Sequence, residues 1–180
     1  MGRTCTLLVG LTLAVLAGCP PQGELDSSPA ELGPLVTTSI PPGIYMGELS
    51  MTTKTEITGQ APTEKTEKQP YHEVVNESGL PLLEPGGIVP RAGVVIPLEL
   101  GGVIETYTIE SVETFGDRLV ITYTTSMTVQ GVTLSGFGSW VYEFTAPSTL
   151  GFTEQAIAAS GAVNGRIMTY ADTASATLTK

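Results

Sequence analysis

Only two cysteines occur in the 180 residues, Cys5 and Cys19. The chain from residue 20 onward therefore has neither a disulfide nor a cysteine-based zinc cluster, and any fold there must be held by packing and strand pairing. Histidine occurs once, at His72. A lone imidazole without a thiol partner leaves only carboxylates to complete a metal site, so no metal ligands are expected. A serine triad would need His72 as its base, yet no nucleophile elbow accompanies it, and no catalytic residue is assigned. Basic residues are also scarce, with eight Lys and Arg against eighteen Asp and Glu, for a net charge of −10. Phosphate backbones and anionic lipid surfaces both require neutralising cations, so no nucleic-acid partner is expected. The glycine pairs Gly86-Gly87 and Gly101-Gly102 do not open a helix, which removes the context of a phosphate-binding loop, and no cofactor is expected. The apolar run from Leu7 to Ala17 is shorter than the roughly 20 residues that span a bilayer as a helix.

What is present begins at the amino terminus. Arg3 precedes that apolar run, which ends at Leu16-Ala17-Gly18-Cys19 and gives way abruptly to Pro20-Pro21. A positive start and a 7–15-residue apolar region fit a secretory signal. Small residues at Ala17 and Gly18 let a peptidase approach the backbone, and a thiolate is the side-chain nucleophile suited to forming a thioether. The segment resembles the lipobox of bacterial prolipoproteins. The resemblance implies diacylglyceryl transfer to Cys19, cleavage between Gly18 and Cys19, and acylation (palmitate-type) of the new amino terminus. Loss of Arg3 with the leader makes the mature chain still more acidic, so attachment rests on acyl chains, and stable anchoring takes two or more of them. Two other readings are an ordinary signal peptide with an incidental Cys19, and N-myristoylation at Gly2. The latter does not account for the apolar run or for its end at Cys19.

Pro20, Pro21, Pro29, Pro34, Pro41 and Pro42, with Ser27 and Ser28, make residues 19–42 a Pro-rich tether. The expected organisation is a signal peptide over 1–18, a lipidated Cys19 with its tether over 19–42, and a single all-β domain over 43–180. Within that domain Tyr45, Leu49, Met51 and Ile57 alternate with polar residues, the period of a strand with one buried face. Residues 59–70 read as a polar loop and 71–75 as a short strand. Residues 79–93 are irregular, yet they carry Leu80, Leu82, Leu83, Ile88 and Val89. Such a loop must pack on a barrel mouth, a sheet edge or a partner.

From Val94 the turns set registers. A turn at Gly101-Gly102 places Ile96 opposite Tyr107. One at Gln130-Gly131 places Leu119 opposite Tyr142, Ile121 opposite Trp140 and Tyr123 opposite Gly138. Gly116-Asp117 places Val112 opposite Ile121 and requires a bulge after Ile109. Asn164-Gly165 closes the last hairpin, with a second bulge near Glu154-Gln155. Gly136 and Gly138 in mid-strand suggest a bend. The result is an antiparallel up-and-down meander of about eight strands, expected as a closed barrel with a sandwich as the alternative. Gly43-Ile44-Tyr45 is similar to the Gly-x-Trp opening of lipocalins, which implies a lipocalin-like barrel.

Three carboxylates, Glu105, Glu154 and Asp172, fall on or near the apolar face. They either line a polar patch in a cavity, act as an acid/base pair of the glycosidase kind, or sit at the rim with Glu154 turned out by the bulge. Candidate cavity-lining residues are Tyr107, Tyr123, Gly136, Gly138, Trp140 and Tyr170, with filling of the core as the leading reading of the aromatics. The functional expectation is a lipid-anchored, exported cell-envelope protein. It acts as a non-enzymatic binding module for a small apolar ligand or an envelope protein. The alternatives are a structural envelope component or a carboxylate-dependent hydrolase.

Overall fold

The computed structural model describes residues 32–100, 103–129, 132–163 and 165–180. The expected signal peptide and lipidation site at Cys19, and the turn residues 101, 102, 130, 131 and 164, lie outside the described residues. Eight strands follow one another: β1 (Gly43–Ile57), β2 (Thr63–Val75), β3 (Val95–Leu100), β4 (Val103–Phe115), β5 (Arg118–Val129), β6 (Val132–Thr145), β7 (Thr149–Val163) and β8 (Arg166–Thr179). All are antiparallel neighbours in one sheet of order β2-β1-β8-β7-β6-β5-β4-β3.

The registers that the turns dictate are those observed. Ile96 pairs with Tyr107, Val112 with Ile121, and Leu119, Ile121 and Tyr123 with Tyr142, Trp140 and Gly138. The two bulges fall between Ile109 and Ser111 and between Glu154 and Ile157. A further irregularity interrupts the β6–β7 ladder between Ser135 and Ser139, which is the stretch holding Gly136 and Gly138. A residue without a side chain tolerates that distortion.

β1 pairs with both β2 and β8, so the first and last strands meet as they do in a barrel. Closure by pairing at every seam, however, is not what forms. The β2 and β3 edges carry no ladder to each other among the described residues, and the sheet is curled with one open seam. Proline explains why the seam falls there. β2 contains Pro70 and β3 contains Pro97, whereas the other six strands contain none. A residue lacking its N–H is confined to an edge strand. The curl is nonetheless tight, because Tyr71 of β2 meets Phe152 of β7 with ring centroids 5.8 Å apart.

The 76–94 connection covers the Val74–Val75 end of the seam. Leu80 is fully buried and Leu83 nearly so. Leu82 N–H donates to Val74 O of β2 at 2.8 Å, and Pro81 bridges to Val75 at the end of the same strand. The apolar loop thus packs on a sheet edge, and no exposed patch results.

Two sequence expectations change. The loop expected over residues 59–70 ends at Pro62, since β2 begins at Thr63 and pairs with β1 through Thr55. Residues 61–70 are all exposed, so this half of β2 lacks the one-sided apolar pattern that marks a strand. It is held by its ladder and by edge-type chemistry: a Thr52–Thr66 hydroxyl bond of 2.9 Å, a Lys68–Glu48 ion pair at 2.8 Å, and a Lys65–Glu67 pair. Charged side chains on such an edge also discourage pairing with other chains. Part of the expected tether is packed instead. Gly33 N–H donates to Ala92 O and Thr38 N–H to Ser78 O, both at 2.9 Å, and Ile40 is buried in the core. Residues 33–40 are therefore part of the packed body. Tyr45 is fully buried and its hydroxyl donates to Pro41 O at 2.8 Å.

Candidate functional site

The open seam leads into a cavity of about 430 Å³, a size suited to a small ligand. Every strand except β5 contributes to its wall. Leu49, Met51, Ile96 and Leu98 supply aliphatic surface, and Pro70, His72 and Glu84, all exposed, mark the rim. His72 points away from the interior, as the alternation of β2 requires, because its neighbours Tyr71 and Glu73 face in.

An aromatic array forms one side. Tyr107 and Trp140 are 5.5 Å apart between centroids, and Tyr123 lies against Trp140 at 4.2 Å. Phe152 sits between Tyr71 and Tyr142, with 5.1 Å to the latter. Two carboxylates reach into the same space. Glu154 Oε1 accepts from the Tyr123 hydroxyl at 2.7 Å and from Trp140 Nε1 at 2.9 Å. Among the described hydrogen bonds its Oε2 accepts none. Glu73, only 4% exposed, accepts from the Tyr71 hydroxyl at 2.7 Å.

Burial dominates the electrostatics. It pushes the Glu73 carboxyl up to about 7, against the opposing pull of the Tyr71 and Tyr142 hydroxyls. Glu154 is raised for the same reason, with Asp172 and Glu105 adding like charge. The phenols of Tyr71, Tyr107, Tyr123 and Tyr142 are pushed well up by burial and then by the neighbouring carboxylates, so they remain donors at any physiological pH.

The three carboxylates read from the sequence do converge. Thr125, itself buried, donates to Glu105 at 3.1 Å. Asp172 Oδ1 is buried with no hydrogen-bond partner among the described residues. Only Glu154 of the three lines the cavity, because the bulge begins after it and leaves it in phase with the inward-facing Leu150 and Phe152.

Of the expected lining residues, Tyr107 and Trp140 are on the wall. Tyr123 is buried behind them and holds Glu154. Tyr170 is half-buried beside Asp172, which together with burial raises its phenol. Tyr170, Gly136 and Gly138 are not on this wall, the glycines serving the β6 irregularity instead. Glu73 is the residue sequence reasoning missed. The alternation Tyr71, Glu73, Val75 would have placed it inside, beside two apolar residues of the same face. No group of three or more metal-ligating side chains occurs among the described residues, and no helix there is long and apolar enough to cross a membrane. Comparison with protein-family models, with curated proteins and with solved structures gives no match for this chain.

Proposed function

We propose that this is a bacterial lipoprotein, anchored through Cys19 and exported to the cell envelope, whose β domain binds a small, largely apolar molecule in the cavity at the β2–β3 seam. The cavity carries the reading. Apolar and aromatic walls with a few convergent polar groups are the usual composition of a small-ligand site. The burial of Leu80 and Leu83 in the seam disfavours the alternative in which that loop is a partner-docking patch. The lipobox supports the anchor.

Native mass spectrometry of the protein extracted from its own membranes in mild detergent tests the binding reading. The expected spectrum contains a species heavier than the acylated chain by one small molecule. Recovery of the acylated chain alone refutes it. A carboxylate-dependent hydrolase is a second reading, favoured by one observation: Glu73 and Glu154 line the same cavity, and Glu73 keeps its proton up to about pH 7, as a general acid must. Turnover of chromogenic glycosides that is lost in E73Q would establish it.

A further inference from the structure

Apart from His72 at the rim, the ionisable side chains of the cavity wall are acidic or phenolic. Glu73, Glu84 and Glu154 line it, and no Lys or Arg does among the described residues. The carboxylates stand among Tyr107, Trp140 and Phe152, whose ring faces attract a cation. Glu154 is fixed by two hydrogen bonds to Oε1, which leaves Oε2 available to an incoming group. The chain as a whole is acidic, with a net charge of −10, and a field of that sign enriches cations near the mouth. An anionic ligand such as a fatty acid meets three carboxylates with nothing to neutralise it.

We infer that the ligand is an organic cation, an amine or quaternary ammonium group on an apolar body, with its charged head against Glu154 and the Tyr107–Trp140 wall. This rests on the reading of the cavity as a binding site. The Glu73 carboxyl in the same cavity ionises at about 7, so the cavity gains negative charge, and cation binding tightens, as pH rises through that value. The groups that face Glu73 are Tyr71 from its own strand, Tyr142 from β6 and Glu84 from the seam connection. Those that face Glu154 are Tyr123, Trp140, Asp172 and Glu105. None of these carries positive charge to compete with the ligand.

The single tryptophan of the chain is Trp140, so its fluorescence reports the cavity directly. The full-length protein in nonionic detergent is titrated at pH 8 with benzyltrimethylammonium, with its uncharged isostere neopentylbenzene, and with phenylacetate. The expected result is at least tenfold tighter binding of the cation than of the isostere, with phenylacetate weakest. E154Q retains an acceptor for Tyr123 and Trp140 but loses the charge. It is expected to bring the cation down to the affinity of the isostere and to leave the isostere unchanged. Equal affinities for cation and isostere in the unmodified protein overturn the cation assignment while leaving the cavity a binding site. An absence of response to all three probes overturns both. An unchanged cation affinity in E154Q also overturns the assignment to this carboxylate.

Discussion

Glu73 makes stability depend on pH in a direction opposite to that of most carboxylates. It is 4% exposed, and its carboxyl ionises at about 7 in the fold against 4.5 when free. Below about 4.5 both states hold the proton and the residue is neutral in its effect. Between those values the folded state binds more protons than the unfolded one, so unfolding becomes easier as pH rises. Above about 7 the cost is complete. At 1.36 kcal/mol per unit it amounts to roughly 3 kcal/mol. With a urea slope of about 2 kcal/mol/M, that is on the order of 1.5 M in the unfolding midpoint. The assay compares midpoints at pH 5 and pH 8.5 for the parent protein and for E73Q, which can still accept the Tyr71 hydrogen bond and has no charge to bury. The parent is expected to lose more than E73Q by about that margin. The general self-repulsion of an acidic chain affects both proteins alike and drops out of the comparison. Parallel losses in the two proteins refute the argument that the buried carboxyl is held protonated by the fold.

Leu80→Ala removes a fully buried side chain from the seam and is expected to cost about 3 kcal/mol by urea titration, whereas Leu35→Ala, at an exposed site, stays within about 0.5 kcal/mol. Gly79 has φ +76°, and a Cβ there would meet Ile40 O at 2.9 Å as well as the Thr38 hydroxyl. Gly79→Ala is therefore expected to release residues 33–40, read as faster proteolytic cleavage ahead of Gly43, and an unchanged cleavage pattern would contradict that packing. Metabolic labelling with a radioactive fatty acid is expected to mark the parent chain and not Cys19→Ser. Equal labelling of the two removes the anchor.

The strand registers were legible in the sequence because they depend on local chemistry. Gly116-Asp117 and Asn164-Gly165 fix where the chain reverses, and period-two alternation then fixes which residues face in. The two bulges followed from the same phase counting, since Ile109 and Val112, or Phe152 and Ile157, cannot share a face without an extra residue. The outer half of β2 was not legible. A two-sided exposed strand has no apolar face, and its ladder to β1 is a long-range fact. The packing of residues 33–40 was hidden for the same reason, as the Gly33–Ala92 and Thr38–Ser78 bonds join segments far apart in the chain.

The sequence by itself determined an antiparallel meander of acidic character, its inward face and its turns, because each of these rests on neighbours a few residues apart or on composition. It also held, unread, the position of the open seam, in Pro70 and Pro97. Only the tertiary structure decided that β1 joins β8, that the 76–94 connection covers one end of the gap, and that Glu73 and Glu154 share one cavity with Trp140. Those outcomes depend on how far the sheet curls, and curl is the sum of twist, bulges and side-chain volume over all eight strands, a quantity that no single stretch of the chain contains.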